Sequence, residues 1–315
     1  IAGGSGTDTL TFTDAGGATN ELDNVTTVET ITLGNAATAV TTVDGLVASG
    51  ATLTVDGSAL SGNALTFDGA LEADGKFSIT GGDAADAITG GAGNDSISGG
   101  AQNDTITGNA GADSITAGTG DDRLLGGNDG DTFVLAANLT SADTVTGGSG
   151  TDTLTFTDAG GATNELDNVT TVETITLGDA ATNVTTVTAL VTGTNTLTVS
   201  ASALTGSNTL TWTGSAETDG GKFSITGSGQ NDTIIGGSGA DTIDGAAGND
   251  SITAGVGNDS ISGGNNDDTL VLGTNLTSAD TIAGGSGTDT LTFTDAGGAT
   301  NELNNVTTVE TITLG

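Results

Sequence analysis

Aspartate and glycine recur at a fixed spacing along this chain. A nine-residue pattern occurs six times without a gap at 81–134 and five times at 227–271, and single copies begin at Gly3, Gly147 and Gly284. Every copy has a glycine-rich first half, Asp at the sixth place and Ile, Leu or Phe at the eighth. Because these two places stay constant in every copy, we infer that the carboxylates share one chemical role.

The sixth-place carboxylates are candidate ligands of a hard cation. Glycine adopts positive φ readily, so that backbone carbonyl oxygens of the loop can turn inward. Oxygen ligands in a flexible loop suit Ca²⁺ better than Mg²⁺, which demands tight octahedral geometry, or Zn²⁺, which prefers nitrogen and sulfur. We therefore predict calcium binding at the sixth-place residues of the tandem copies, which are Asp86, Asp95, Asp104, Asp113, Asp122, Asp131, Asp232, Asp241, Asp250, Asp259 and Asp268.

The single copies add three further candidate ligands, Asp8, Asp152 and Asp289. Asp and Gly also favour ordinary turns, and for these isolated copies turn formation remains an alternative to calcium binding. Turn formation does not explain a register kept over the tandem copies. In loops 99–104 and 227–232, Gln102 and Gln230 replace a glycine, so we expect weaker binding there, because Gln tolerates positive φ less well.

The spacing predicts how the carboxylates meet. If two nonapeptides form one coil, residues 18 apart stack on the same edge, as in the pairs Asp86/Asp104 and Asp95/Asp113. Two carboxylates about 5 Å apart repel by roughly 3 kcal/mol at an effective dielectric constant of about 20. A divalent ion between them reverses the sign of that interaction.

Short strands must position these loops. The Thr-rich segments between the nonapeptide runs alternate apolar and polar residues, for example in Leu53–Val55, Leu65–Phe67 and Phe77–Ile79, which is typical of half-buried strands. Repeats that cannot bury their apolar residues alone must stack on each other. The sequence therefore predicts an all-β fold, a parallel β-solenoid built from tandem repeats. One Ile or Leu per strand makes a thin core, so we expect bound metal to supply further stability.

The nonapeptide runs and the Thr-rich spacers form long repeats. Residues 3–34 and 147–178 are identical, and 284–315 differ from them only at Asn304. The predicted organisation is repeat unit 1 at 1–144 (spacer 1–80, nonapeptides 81–134), repeat unit 2 at 145–281 (spacer 145–226, nonapeptides 227–271) and the start of a third at 282–315. Such duplication favours self-association or head-to-tail continuation of the same repeats.

The composition excludes several classes of function. The 315 residues include 40 Asp plus Glu and 3 Lys plus Arg, which gives a net charge of −37. Self-repulsion of this size destabilises a compact state unless cations neutralise it. The near absence of basic residues excludes a nucleic-acid partner, which requires a basic surface. No run of about 18 apolar residues occurs, so we predict no membrane span.

The residue types also argue against catalysis. The chain has no His, Cys or Tyr, so that Ser-His-Asp and zinc-histidine sites are impossible within it. A two-carboxylate glycosidase remains formally open, but no acidic pair stands apart from the repeats. We therefore predict that this chain is not an enzyme.

The pattern G-G-x-G-x-D-x-apolar-x resembles the RTX, or haemolysin-type, calcium-binding repeats of secreted bacterial proteins. The resemblance implies that the first half of each nonapeptide binds Ca²⁺ and the second half is a short strand, together forming a right-handed parallel β-roll. It also implies type I secretion, with folding triggered by extracellular calcium. The spacers more loosely resemble the β-strand repeats of surface-layer and giant adhesin proteins.

Three functions follow from these expectations. The first is a structural protein of the bacterial cell surface or extracellular space, a calcium-stabilised rod in a surface layer, filament or matrix fibre. The second is the stalk of a large RTX adhesin whose binding domain lies outside this segment. The third is the secretion or folding module of an RTX exoenzyme, whose active site would lie in a separate domain.

Overall fold

Short strands with alternating side-chain burial account for nearly all regular structure in the chain. The computed structural model describes residues 1–13, 22, 24–157, 166–187, 190–294 and 302–315. Within this part of the chain there is no α-helix, and a single 3₁₀ turn covers Glu302–Asn305. The all-β prediction is therefore confirmed.

Up to residue 170, the described residues form fifteen strands. They are β1 (Thr9–Phe12), β2 (Thr30–Leu33), β3 (Thr38–Thr41), β4 (Thr52–Asp56), β5 (Leu65–Asp68), β6 (Lys76–Thr80), β7 (Ala87–Thr89), β8 (Ser96–Ala101), β9 (Thr105–Ala110), β10 (Ser114–Thr119), β11 (Arg123–Asn128), β12 (Thr132–Ala136), β13 (Thr144–Ser149), β14 (Thr153–Phe156) and β15 (Val169–Thr170).

The second half contains the remaining strands. They are β16 (Thr174–Leu177), β17 (Thr182–Thr185), β18 (Thr196–Ser200), β19 (Leu210–Thr213), β20 (Lys222–Thr226), β21 (Thr233–Ile235), β22 (Thr242–Asp244), β23 (Ser251–Thr253), β24 (Ser260–Asn265), β25 (Thr269–Gly273), β26 (Thr281–Ser286), β27 (Thr290–Phe293), β28 (Val306–Thr307) and β29 (Thr311–Leu314).

The chain divides into two compact units. Unit 1 comprises Ile1–Asn138, Ala142–Leu154 and Asn168–Val172, and unit 2 comprises Leu139–Ser141, Thr155–Asp167 and Glu173–Gly315. In unit 1, β1-β2-β4-β6-β8-β10-β12 pair in that order and β3-β5-β7-β9-β11-β13-β15 form a second sheet. In unit 2, β16-β18-β20-β22-β24-β26-β28 pair in order and β17-β19-β21-β23-β25-β27-β29 form the other sheet.

Each unit is a parallel β-solenoid, as the repeats predict. Successive strands alternate between the two sheets, so that every second strand pairs in parallel. In the nonapeptide runs this register equals two repeats, for example Ile97 opposite Ile115. Two coils are longer by three residues, since Leu124 lies opposite Val145 and Ile261 opposite Ile282.

In most strands of the nonapeptide runs the core takes one large apolar side chain from each strand, whereas spacer strands such as β4 bury two, Leu53 and Val55, so the predicted single residue per strand is wrong for the spacers. In unit 1 the eighth-place residues Ile88, Ile106 and Leu124 are each at most 1% exposed. Aromatic side chains fill the spacer coils, where Phe67 and Phe77 pack edge to face with ring centroids 5.1 Å apart. Trp212 and Phe223 make the equivalent contact in unit 2, at 5.6 Å. The thin apolar interior explains why the coil edges matter for stability.

Candidate metal centre

A continuous ladder of aspartates follows the loop edges of each unit. The backbone N–H of each Asp donates to Oδ1 of the Asp one coil further on, 18 or 21 residues later in the sequence, at 2.7–2.9 Å. The first carboxylate on each edge accepts from a spacer strand instead, as Asp86 does from Leu65 and Asp95 from Phe77, both at 2.7 Å. The stacking of residues 18 apart is as predicted.

The ladder carboxylates are removed from solvent. Each of the eleven tandem-run aspartates is at most 3% exposed, and Asp152 and Asp289 are 0% exposed. Only Asp8 among the predicted ligands is half-buried. Burial of this kind is costly for a charged group that is not paired with a cation or fully hydrogen-bonded.

Burial and neighbouring charges raise the pKa values of these carboxyls. Desolvation, followed by repulsion from Asp95, Asp131 and Asp129, raises the pKa of Asp113 from 3.8 to about 8. Desolvation, followed by repulsion from their own neighbouring carboxylates, raises the pKa of Asp104 and of Asp250 to about 7. In the metal-free fold, therefore, these groups resist ionisation at neutral pH, and a bound cation would remove that penalty.

Most of the loops share one backbone conformation. In ten of them the second and fourth places have φ between +68° and +156°: Gly4/Gly6, Gly100/Gln102, Asn109/Gly111, Gly118/Gly120, Gly127/Asp129, Gly148/Gly150, Ala246/Gly248, Gly255/Gly257, Gly264/Asn266 and Gly285/Gly287. Gln102 adopts this conformation at +70°. Apart from Gly4 and Gly6, which face open space, the glycines at these places lie against the backbone of the preceding coil, where an added Cβ on Gly118 would clash with the Gly100 carbonyl.

In seven of these left-handed loops, each of which begins with Gly, the second carboxylate oxygen faces a space that only glycine leaves open. Oδ2 is buried and has no hydrogen-bond partner in Asp8, Asp104, Asp113, Asp131, Asp250, Asp268 and Asp289. A Cβ on Gly99, at the first place of its loop, would clash both with Oδ2 of Asp104 and with the carbonyl oxygen of Ala117 in the next coil. A carboxylate oxygen and a main-chain oxygen thus converge, which is the donor set that Ca²⁺ prefers.

The first two loops of each run have a different conformation. Loops 81–86, 90–95, 227–232 and 236–241 lack the positive φ at the second and fourth places. Their Oδ2 atoms already accept a hydrogen bond from the second-place N–H, for example Gly82 to Asp86 and Gly91 to Asp95, both at 2.7 Å. The prediction that these four aspartates bind calcium therefore has less structural support than it has for the later loops.

Several ladder residues escape the nonapeptide pattern. Asp143 and Asp280 are 1% exposed and accept from the N–H groups of Asp122 and Asp259 at 2.7 and 2.8 Å. They lie in the longer coils, in the segments NLTSADTVT and NLTSADTIA, which lack glycine. The sequence could have indicated these two residues only through Asp at the sixth place and Val or Ile at the eighth, since the glycines of the pattern are absent from both segments.

A separate carboxylate cluster lies in the spacer of unit 1. Asp44, Glu72 and Asp74 each place one oxygen within 4.8 Å of the others. Glu72 is 0% exposed, and its carboxylate accepts from the N–H groups of Val47 at 3.1 Å and Gly75 at 3.2 Å. These bonds fix the two turns that meet there, so Glu72 has a structural role whether or not a cation binds.

The fold and the ladder together define a class of protein, an acidic parallel β-solenoid with oxygen-lined loops stacked along its edges. The model of the RTX calcium-binding nonapeptide repeat family matches residues 80–113, 98–133, 140–156, 224–252, 246–274 and 277–293. The chain thus carries several copies of the RTX nonapeptide, a known calcium-binding motif, as its pattern indicates. A search of curated proteins found no match.

Two of the matched segments contain the ladder residues that the nonapeptide pattern missed. They are 140–156, which includes Asp143, and 277–293, which includes Asp280.

RTX repeats are associated with secretion by a type I system to the extracellular space. In the part of the chain that the structure describes, no helix has the length and apolar character to cross a membrane.

Proposed function

We propose that this protein is a structural extracellular protein whose β-solenoid is held together by calcium, as part of a bacterial surface layer, filament or matrix fibre. The observation that carries the proposal is the row of buried carboxylates with an unpartnered oxygen, which includes Asp104, Asp113 and Asp250. Repeating that arrangement along the chain makes the fold as a whole depend on the cation. Without it, a net charge of −37 opposes compaction.

The ladder supports a switch between two environments. At low calcium the ladder carboxyls must either ionise while buried or bind protons, and both cost free energy at neutral pH. At high calcium the binding free energy becomes folding free energy. We propose that the chain stays unfolded inside the cell, passes through a type I secretion system and folds outside, and that it has no catalytic role.

The last strand supports association through the same repeats. The sequence TITL occurs in β16, where Ile175 and Leu177 are 0% exposed, and in β29, where Ile312 and Leu314 are 46% and 69% exposed. An apolar strand with an open edge is a template for further parallel pairing. We propose that the chain associates with copies of itself through open strand edges of this kind.

Calcium-dependent folding is tested by circular dichroism and by the fluorescence of Trp212, the single Trp of the chain, which is 0% exposed in unit 2. Addition of calcium to the EGTA-treated chain is expected to produce the strand signal and the blue-shifted emission of a buried indole. Magnesium at the same concentration serves as the control. An unchanged strand signal in excess EGTA at neutral pH would refute the proposal.

Assembly is tested separately, by light scattering and electron microscopy of the calcium-loaded chain. Calcium-dependent filaments or sheets would support the structural role. A monomer at all concentrations would remove the support for self-association while leaving calcium-dependent folding intact, and would favour a stalk or a secretion module.

A further inference from the structure

The spacer contains a degenerate nonapeptide that the glycine pattern does not reveal. The segment NVTTVETIT occurs at 24–32, 168–176 and 305–313, once in each long repeat. It has no glycine, and Glu occupies the sixth place where the nonapeptides have Asp. Ile stands at the eighth place, as in most tandem copies.

In the structure this Glu continues the aspartate ladder. Oε2 of Glu310 accepts a hydrogen bond from the backbone N–H of Asp289 at 2.8 Å, and Oε2 of Glu29 accepts one from Asp8 at 2.8 Å. These are the bonds that Oδ1 of each Asp makes in the tandem runs. The Glu-bearing loop therefore stacks one coil beyond the loop GGSGTD in the same register.

The backbone of the degenerate loop resembles that of the nonapeptides at the fourth place but not at the second, where Val25 and Val306 lack the positive φ. Its fourth-place residues, Thr27 and Thr308, are left-handed, with φ of 53° and 50°. Their hydroxyl oxygens accept from the N–H groups of Gly4 at 3.0 Å and Gly285 at 2.8 Å. The Thr side chain thereby fixes the loop without glycine.

The space between the two loops is lined by oxygen atoms. Asp289 is 0% exposed, and its Oδ2 is buried and has no hydrogen-bond partner. A Cβ on Gly284 would clash with Asp289 and with the carbonyl oxygen of Thr308. The copy in the first long repeat has the same oxygen atoms, since Oδ2 of Asp8 is buried without a partner and a Cβ on Gly3 would clash with Asp8 and the Thr27 carbonyl, but the Asp8 side chain as a whole is only half-buried.

We propose that Asp289 and Glu310, and likewise Asp8 and Glu29, form a further calcium site outside the tandem runs, at the junction of the loop GGSGTD and the degenerate loop in the third and the first long repeat. Two carboxylates supply the charge, and the Thr308 or Thr27 carbonyl supplies a main-chain ligand. Hard oxygen donors of this kind suit Ca²⁺. The inference rests on the proposed function in that the tandem loops must bind the same ion, and it extends calcium dependence into the spacer.

The test is hydrogen–deuterium exchange of the full chain during a calcium titration. The junction peptides 284–294 and 302–315 report the proposed site, and the peptide 245–268 reports the tandem run. Calcium is expected to protect both regions. In Asp289→Asn and Glu310→Gln, the calcium midpoint of the junction peptides is expected to rise by about tenfold or more, since losing even an outer-shell partner of a metal costs about that much.

Asp167→Asn is the matched control for these variants. It removes one charge from an exposed side chain, and the third long repeat itself carries Asn304 at this place. In this variant, the calcium concentration at which the junction peptides are half protected from exchange is expected to equal that of the unmodified chain. Glu29→Gln, read on peptides 1–13 and 24–34, repeats the experiment in unit 1 should the unit 2 variants not fold.

The outcomes separate this inference from the proposed function. Calcium protection of 245–268 without protection of 302–315, or unchanged junction midpoints in both Asp289→Asn and Glu310→Gln, would overturn the junction site alone. No calcium protection in either region would overturn the proposed function. Protection of both regions, with a midpoint shift confined to the junction peptides, would establish the site.

Discussion

Replacing Asp250 by Asn should change stability in opposite directions with and without calcium. Asn has the shape of Asp, and its side-chain carbonyl can still accept the hydrogen bond that Asp232 N–H donates to Oδ1 at 2.7 Å. It cannot ionise, and it replaces the unpartnered Oδ2 by an amide group. The substitution therefore removes the charge and one candidate ligand while leaving the coil stacking in place.

The metal-free effect follows from the raised pKa. Burial, followed by the charges of Asp232, Asp268 and Asp244, raises the pKa of Asp250 from 3.8 to about 7 in the fold. Because the folded state binds this proton more tightly than the unfolded chain, stability is highest below pH 3.8 and is lost as the pH rises towards 7. The full shift corresponds to about 4 kcal/mol, which screening at the loop edge reduces to about 2 kcal/mol. In EGTA at pH 8, Asp250→Asn should therefore stabilise the fold by about 2 kcal/mol.

With calcium the sign reverses. Calcium at about 1,000 times the Kd of the site adds roughly 4 kcal/mol to the free energy of unfolding. This exceeds the roughly 2 kcal/mol by which Asn stabilises the metal-free fold. The variant is then expected to be less stable than the unmodified chain by about 2 kcal/mol. Neighbouring ladder sites that share Asp250 would increase this loss.

The assay is folding followed by Trp212 fluorescence. In EGTA, a protecting osmolyte such as sucrose, which is uncharged at both pH values, drives the metal-free chain into its compact state, and Asp250→Asn should need less of it at pH 8 and about the same amount at pH 4. In calcium, urea unfolding should have a lower midpoint for the variant. Asp167→Asn, at an exposed side chain, should change neither. Destabilisation of Asp250→Asn by the same amount in both conditions would refute the reasoning, because it would mean that the carboxylate acts only through its hydrogen bond.

Three further predictions concern neighbouring features of unit 2. Asp241→Asn in EGTA at pH 8 should stabilise the chain less than Asp250→Asn does. Burial raises the pKa of Asp241 to about 6, rather than to about 7 as for Asp250, and the amide keeps only one of the two hydrogen bonds that the carboxylate accepts from backbone N–H groups, a loss of about 1–3 kcal/mol. Osmolyte folding in EGTA would show this, and equal stabilisation by the two variants would contradict the distinction between leading and later loops. Gly245→Ala should raise the calcium concentration at the midpoint of a fluorescence titration at least tenfold, because the added Cβ would clash with Asp250 and the Gly263 carbonyl. Gly229→Ala is the control: its Cβ meets open space, so the variant should behave as the unmodified chain does. Trp212→Phe should change the free energy of unfolding, measured by circular dichroism, by no more than about 1 kcal/mol. The indole N–H is buried without a partner, and Phe67 fills the equivalent place in unit 1. A decrease in the free energy of unfolding above about 3 kcal/mol would show that the volume of the ring dominates.

Much of the candidate site could be predicted, because the spacing of its residues repeats within a short stretch of sequence. Asp at the sixth place and an apolar residue at the eighth recur every nine residues, so a two-repeat coil places all such Asp residues on the edges and all Ile and Leu residues inside. The strands containing Leu53–Val55, Leu65–Phe67 and Phe77–Ile79 follow from simple alternation, and all three occur in the structure. Such features need no knowledge of which coil lies above or below.

Membership of the ladder could not be predicted in full, because it depends on stacking between coils. Asp143, Asp280 and Glu310 lie in segments without glycine, and their carboxylates are recognised only when the N–H group of the preceding coil donates to them. The 21-residue coils that bring Asp143 and Asp280 into register are longer than the nonapeptide period predicts. A hydrogen bond across 21 residues has no local signature.

The sequence by itself determined the repeat, the strands and the acidity, and it predicted a hard cation, because residue type and spacing suffice for each of these inferences. The tertiary structure alone decided which carboxylates keep an unpartnered oxygen. Asp86 and Asp104 share one nonapeptide place, yet Oδ2 of Asp86 accepts from Gly82 N–H whereas Oδ2 of Asp104 has no donor. The difference arises because the backbone of the adjacent coil sets the φ angles of each loop, and with them the direction in which its N–H groups point.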